Sequence, residues 1–213
     1  WGDISVIVRG RRRSDSIRRA LARADVPVAA DVAEVPVRDE PAVRPILQLL
    51  RAVLRAADGD DQGGLTPAVV LELLGSRVGG ADAVQLRRLR RGLRRIELAG
   101  GGGRPSDDLL VEALRHPIVL QEVGIEATAA RRLAAAYTAG LSAVATLDEE
   151  GRPVVRREVL VEDVLWSIWS ALGLADRWRA TALAGGAQGA RAYRDLDAVL
   201  ALFAAAARFS DRL

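Results

Sequence analysis

The sequence predicts a mainly α-helical protein that begins with a small βαβ unit, and three observations support this class. Half of the 213 residues are apolar but only 4% are aromatic, so Leu, Val and Ala must fill the core, and Ala favours helices. From Pro41 onward apolar residues recur at spacings of three and four, which is typical of helices that bury one face. Only residues 1–38 contain the two-residue alternation of strands.

The βαβ unit is predicted within residues 1–38, as one corner of a larger domain. Residues 4–8 alternate as a strand, and a serine after the following basic stretch caps a helix that reaches about Ala24. The segment DVPVAADV then supplies a turn and a second short strand. We expect residues 39–213 to form a separate helical subdomain.

The helical subdomain is predicted to contain a series of amphipathic helices. Polar and Gly-rich stretches predict flexible breaks near 58–64 and 99–105. The helices are predicted over 41–57, from Thr66 and Pro67 onward, over 81–98, from Ser106 to about His116, and over 128–146, 161–172, 175–184 and 190–213.

The composition excludes several classes of chemistry. All 31 basic residues are arginine, so the chain has no lysine for the phosphate-binding loop of a nucleotide hydrolase. Cysteine is absent and His116 is the single histidine, which excludes disulfides, thiol nucleophiles and Cys-based zinc sites. No apolar run reaches the roughly 18 residues of a membrane-spanning helix. We therefore expect a cytoplasmic protein without membrane contact, a catalytic residue or a metal site in this segment.

Two basic clusters are candidate DNA-binding surfaces, and the first follows the predicted strand. Backbone N–H groups and the helix dipole favour an anion at such a strand–helix junction, and each phosphate neutralised there releases counterions. Alternatively, these arginines could lie on a solvent-exposed face and pair with carboxylates. The sequence of this stretch alone does not decide between DNA binding and such a face. The candidate residues are Arg9, Arg11, Arg12, Arg13 and Ser14.

The second cluster is the segment QLRRLRRGLRRI, which predicts a basic amphipathic helix. Its apolar residues, Leu86, Leu89, Leu93 and Ile96, form one seam at spacings of three and four. The arginine pairs between them are expected to point away from the core, toward DNA phosphates, an acidic partner or, most commonly, water. The candidate secondary face consists of Arg87, Arg88, Arg91, Arg94 and Arg95.

Three other features are interpreted as structural. Trp166 and Trp169 lie one helical turn apart on an apolar face, which predicts that both are in the core. His116, before Pro117, is expected to end a helix without a functional role. The glycines of GGAQGA follow a helix rather than a strand, so they do not fit a dinucleotide-binding turn.

The two ends of the chain resemble a family of DNA motors. DISVIVR, Ser14, ALARADVPV and RDEPAVRPILQLLR follow one another as similar stretches do in the second motor domain of UvrD/PcrA/Rep-type superfamily 1 DNA helicases, just before their helical insertion, the 2B subdomain. The last third, from VLWSIWSALGLADRW onward, is more similar to the helicase–nuclease branch of high-GC bacteria that includes AdnA and AdnB. The middle of the chain matches only in pattern.

This resemblance implies that the chain is a fragment of an ATP-dependent DNA helicase, which fits a sequence that begins with Trp1 and has no methionine. In the family, residues at the strand–helix junction contact the tracked single strand; by position these are Arg9, Arg11 and Ser14, with Arg11 standing where the family usually has Asn. ATP and Mg belong to the parent enzyme, a hydrolase acting in DNA repair or recombination, and this segment needs no cofactor. The implied partners are single-stranded and duplex DNA, the remaining helicase domains and a second helicase–nuclease subunit.

The residues themselves leave one alternative function open. The chain can also be interpreted as an independent basic helical module that binds other proteins. Binding to single strands of any sequence, with strong salt dependence, would distinguish the helicase fragment from this module. A self-contained enzyme is disfavoured, because lysine, cysteine and a second histidine are absent.

Overall fold

The computed structural model of the chain describes residues 35–60, 64–147, 153–156 and 158–210, together with a few single positions before residue 35. Contacts divide the chain into two compact units, Trp1–Pro36 and Val37–Leu213. The strands predicted within residues 1–38 lie outside the described residues, so the fold below is that of the second unit.

The described part of the chain is mainly helical, which confirms the predicted class. No helix within it is both long enough and apolar enough to cross a bilayer. Two short 3₁₀ helices, Val37–Asp39 and Gly124–Ala127, accompany the main elements. These are α1 (Arg44–Ala57), α2 (Pro67–Gly75), α3 (Ala83–Ala99), α4 (Ser106–Arg115), α5 (Val119–Val123), α6 (Thr128–Val144), β1 (Ala145–Leu147), β2 (Pro153–Val155), α7 (Val161–Leu172), α8 (Ala175–Ala184) and α9 (Gly186–Ser210).

Helix α6 lies at the centre, packed on α7, α1 and α4. Its alanines and Gly140 keep the surface flat enough for neighbours to approach closely. A Cβ atom at Gly140 would lie 2.8 Å from Val53 Cγ2 and 2.9 Å from Ile168 Cγ1. The core therefore depends on a small residue where α1, α6 and α7 meet.

Local signals set several helix starts as the sequence predicts. The Thr66 hydroxyl accepts a hydrogen bond from the Val69 N–H at 3.3 Å, and Pro67 occupies the first turn of α2. Helices α7 and α8 have the predicted bounds. The last helix begins earlier than predicted, at Gly186, directly after the positive φ of Gly185 separates it from α8.

A short β-hairpin replaces the last turn of the helix predicted over 128–146. The backbone becomes extended at Ala145, and Ala145 pairs with Val155 in an antiparallel register. The Arg156 N–H also donates to the Val144 carbonyl at 2.9 Å. β-Branched residues such as Val154 and Val155 favour this pairing, and the prediction overlooked them because the preceding Ala-rich period is so regular.

The two tryptophans of α7 have different environments. Trp169 is buried against Trp178 of α8, with ring centroids 5.6 Å apart. Trp166 is 61% exposed, so the prediction that both are core residues is wrong for Trp166. The reason is tertiary: the Trp178 ring of α8 covers Trp169, whereas Trp166 meets only the Phe203 ring of α9 among the described aromatic residues and keeps most of its surface exposed.

One buried charge connects the last helix to the rest of the unit. Asp195 of α9 is 7% exposed and forms an ion pair with Arg77, in the loop after α2. The Arg77 guanidinium carbon also lies 5.9 Å from the centroid of the Trp178 ring. Two elements that are 118 residues apart in sequence are therefore held together by this pair.

Candidate nucleic-acid interface

Helix α3 has a complete N-terminal capping box, which fixes where its arginines begin. The Asp82 carboxylate accepts hydrogen bonds from the Val84 and Gln85 N–H groups, each at 2.8 Å. The Gln85 side chain accepts in return from the Asp82 N–H at 2.9 Å. This arrangement satisfies backbone donors that would otherwise lack partners, and it places a negative charge at the positive end of the helix.

The apolar seam of α3 is narrow. Leu89 and Leu93 are buried, whereas Leu86 and Ile96 are only partly buried. Gly92 lies beside α5, where an added Cβ atom would be 2.8 Å from Val123 Cγ1. Gly costs about 1 kcal/mol in helix propensity relative to Ala, and this close contact explains why it stands in the middle of the helix.

One flank of α3 turns toward α4 and the loop before it. Arg90 forms an ion pair with Asp107, in the first turn of α4. Arg94 donates a hydrogen bond to the Arg104 carbonyl at 2.6 Å. The sequence predicted that all six arginines of this helix point away from the core, and these two instead contact the neighbouring helix and loop.

Glu97 and Arg104 tie the loop after α3 back to the helix. The Arg104 guanidinium donates to both Glu97 carboxylate oxygens, at 3.1 Å and 2.9 Å, and the Arg104 N–H donates to the same carboxylate at 3.1 Å. These hydrogen bonds lower the pKa of Glu97 and raise the pKa of Arg104. The loop near 99–105 thus has a fixed attachment at its end.

The outer face of α3 carries four arginines, which we call the arginine face: Arg87, Arg88, Arg91 and Arg95. All four are exposed. At about 100° per residue they fall within an arc of about 100°, and they extend over about 12 Å of helix. Among the described residues, none of the four has a carboxylate or carbonyl partner. The result is an open strip of positive charge on a rigid helix.

The strip has the size of a short run of nucleic-acid backbone. Along one strand of B-DNA, successive phosphates rise by about 3.4 Å, so about 12 Å corresponds to three or four phosphates. Arginine remains charged at all relevant pH values and can bind phosphate through two parallel hydrogen bonds. The face can therefore bind a polyanion, but it holds no group that could act as a nucleophile or a general base.

The other predicted site residues are placed differently. Those of the first cluster, Arg9, Arg11, Arg12, Arg13 and Ser14, lie outside the described residues. Arg94 belongs to the paired flank. His116 is exposed at the end of α4, with Nε2 4.0 Å from Glu112 Oε1. Within the described ranges, no group of three or more His, Asp or Glu residues could hold a metal ion.

The sequence analysis missed the role of Arg90 and Arg104. A signal was available, because Asp107 and Asp108 open the next helix only a short loop away and Glu97 lies one turn after Arg94. An arginine between such carboxylates is more apt to pair than to face water.

No protein-family model matches the chain, and no curated protein matches it significantly.

Proposed function

We propose that the chain is a DNA-binding segment of a UvrD-type helicase and that the arginine face of α3 binds the phosphate backbone. The observation that supports this most directly is the set of four exposed guanidinium groups without a carboxylate partner among the described residues. A face that served only solubility would gain by interspersing acidic residues, because like charges one turn apart repel each other.

The division of α3 into two flanks also supports binding. Arg90 and Arg94 contribute to the fold through Asp107 and Arg104. The four residues of the arginine face have no such partner within the described part of the chain, which leaves their charge available to a ligand. Because phosphate contacts are independent of the base sequence, we expect binding to DNA of any sequence.

Within the proposed helicase, this segment contributes contacts rather than chemistry. The chain has no lysine, so a phosphate-binding loop for ATP must lie in another part of the parent enzyme. The first basic cluster, at Arg9, remains the predicted contact with the tracked strand. ATP, Mg and the remaining motor domains are expected for the parent, and the purified segment should hydrolyse no ATP.

A second candidate function is supported by two apolar side chains on the same face. Val84 and Leu98 are 45% and 56% exposed, and at about 100° per residue they fall within the same arc of the helix, one turn before Arg87 and one turn after Arg95. An acidic protein helix could cover them while pairing with the guanidinium groups, whereas a phosphate backbone would leave them in water. This second function is that of an independent module that binds other proteins. Such a module would not need to bind DNA, whereas the helicase segment would.

The proposal is tested by fluorescence anisotropy with labelled single-stranded and duplex oligonucleotides of unrelated sequences. The test variant replaces Arg87, Arg88, Arg91 and Arg95 with Gln. At about 0.5 kcal/mol per exposed contact, we expect affinity to fall about 30-fold or more. We also expect the slope of log K against log salt concentration to become shallower by about three.

The control variant removes the same number of charges elsewhere. Arg51, Arg179, Arg191 and Arg208 are also exposed and lie on α1, α8 and α9. If binding depends only on net charge, both fourfold variants will lose affinity equally, and the assignment to α3 is wrong. If the unaltered chain binds no DNA at low salt, the protein-interaction module becomes the better explanation.

A further inference from the structure

The last helix, α9, has an apolar face wider than the part that the domain covers. Its inner side packs on α7, α8 and the 3₁₀ helix at Val37–Asp39. Beside this buried side runs a second line of apolar residues at alternating spacings of three and four, which we call the outer seam. It consists of Tyr193, Leu196, Leu200, Phe203 and Ala207.

The outer seam is open to solvent at its largest residues. Tyr193 and Leu200 are 62% and 66% exposed. Trp166 of α7 extends the surface sideways: it is 61% exposed and meets the Phe203 ring edge to face, with centroids 6.0 Å apart. The side chains therefore form one contiguous apolar strip across two helices.

Such a strip is unlike the scattered apolar residues of an ordinary surface. Single exposed Leu or Tyr residues are common and need no partner. A contiguous patch rimmed by polar residues marks an interaction site, and a spacing that alternates three and four is the pattern by which one helix packs along another. The outer seam thus fits a helix laid alongside α9.

We propose that the outer seam of α9 binds the same seam of a second copy of this chain, with the two helices antiparallel and Leu200 on the two-fold axis. A two-fold interface requires a surface that is complementary to itself. Tyr193 and Ala207 each lie seven residues from Leu200, so each tyrosine would face the small Ala207 of the other copy. Leu196 would likewise lie beside Phe203 and Ala204.

The charges along the seam are compatible with this pairing. On the solvent side its edge carries Asp197 and Ala204, which would lie opposite each other across the two copies, so the two Asp197 carboxylates would not face each other. On the inner side the edge is formed by Val199 and Ala206, which are buried in the domain. An antiparallel pair therefore brings together apolar side chains at its centre, with Asp197 at the edge opposite the uncharged Ala204 of the other copy.

The available area indicates a weak dimer. Trp166, Tyr193 and Leu200 each expose about 60% of a side chain of roughly 200 Å², or about 360 Å² per copy in all. With the half-buried seam residues the total reaches about 900–1,000 Å² over both copies, which is in the range of weak and transient interfaces. We expect a dissociation constant on the order of 1–100 μM.

Cysteine trapping tests the geometry, since the natural chain contains no cysteine. Under mild oxidation, Leu200→Cys should cross-link at least tenfold faster than Leu183→Cys, whose residue is 79% exposed and lies off the seam, on α8. Tyr193→Cys should cross-link no faster than that control alone, but rapidly when mixed with Ala207→Cys. Equal rates for Leu200→Cys and Leu183→Cys, or fast self-linking of Tyr193→Cys, would overturn the antiparallel pairing.

Sedimentation equilibrium of the 213-residue chain gives the second measurement. The unaltered chain should change from monomer to dimer between about 1 and 200 μM. Leu200→Glu should remain monomeric throughout that range, and Leu183→Glu should dimerise as the unaltered chain does. A chain that is monomeric at all concentrations, or a dimer that persists in folded Leu200→Glu, would overturn the proposal.

Discussion

Helices α3 and α9 use charge in opposite ways. α3 has a narrow apolar seam centred on Leu89 and Leu93 and a broad, open arginine face. α9 is apolar around about two thirds of its circumference, and its one buried charge, Asp195, points inward to Arg77. The charges of the arginine face of α3 are exposed to water and can be removed without disturbing the core, whereas Asp195 of α9 is part of the core.

This difference predicts where stability and function separate. Exposed charges contribute little to folding because water and salt screen them. A desolvated carboxylate and its partner are costly to separate, because the remaining charge has no hydration to return to. Substitutions on the arginine face of α3 should therefore alter binding, and substitutions at Asp195 should alter the free energy of unfolding.

The largest expected effect is that of Asp195→Ala. This change leaves Arg77 without its carboxylate while one side of the guanidinium is still covered by Trp178. Breaking a fully buried pair costs about 3–5 kcal/mol. The Arg77 side chain is 36% exposed and can regain some hydration, so we expect a loss of about 2–3 kcal/mol, measured by urea unfolding.

The matched control for this substitution is Asp197→Ala, two residues further along the same helix. Asp197 is exposed, and a surface change of this kind usually alters stability by less than about 0.5 kcal/mol. Equal effects of the two substitutions would show that the Arg77 pair contributes no more than a surface charge does, and the contrast between α3 and α9 would lose its basis.

The local signals in the sequence were sufficient for most of the helices. Thr66 and Pro67 at the start of α2 are recognisable without any tertiary information, because the hydroxyl cap and the fixed φ of proline act within one turn. The four outward arginines of α3 likewise follow from the spacing of Leu89 and Leu93. The spacing of apolar residues depends on the geometry of a single helix, so the exposed face of that helix can be predicted without knowing its neighbours.

Features that depend on a second element were harder to predict. The sequence positions of Arg90 and Arg94 relative to the apolar seam are equally compatible with side chains that face water. Only the position of α4 and the loop before it decides that these two arginines are paired. Trp166 and Trp169 are indistinguishable by type, and the packing of α8 and α9 buries only one of them. The pairing of Arg77 with Asp195 joins residues too far apart in sequence for any local pattern to indicate it.

The pH dependence of stability distinguishes the paired charges of α3 from those of its arginine face. Hydrogen bonds from Arg104 hold the pKa of Glu97 below its ordinary value of 4.5. Because the folded-state pKa lies below the unfolded one, this contact stabilises the fold above the unfolded pKa, and the stabilisation is lost as the pH falls through the folded pKa. We expect the carboxyl titration of Glu97, followed by NMR, to have a midpoint below 4.5.

Arg104→Gln should return this midpoint toward 4.5 and weaken the loss of stability in acid. Arg88→Gln serves as the control, because Arg88 belongs to the arginine face of the same helix and does not affect the pKa of Glu97. A Glu97 midpoint that is unaffected by Arg104→Gln would contradict the structural role assigned to this pair.

The smallest expected effect is that of a substitution on the arginine face, and it is a gain in stability rather than a loss. Arg91 lies four residues from both Arg87 and Arg95, and like charges at this spacing destabilise a helix by about 0.2–0.5 kcal/mol per pair. Gln has nearly the same helix propensity as Arg. Arg91→Gln should therefore stabilise the chain by about 0.5 kcal/mol at low salt, and the gain should disappear near 1 M salt, where the Debye length is about 3 Å.

Arg179→Gln, on α8, is the control because it should have the reverse effect. Arg179 is exposed and lies three residues after Asp176, so its removal takes away a weak attraction rather than a repulsion. If Arg91→Gln lowers stability as Arg179→Gln does, the arginine face is held by contacts within the domain. If it raises stability while weakening DNA binding, the repulsion between these arginines is a cost of folding that phosphate binding offsets.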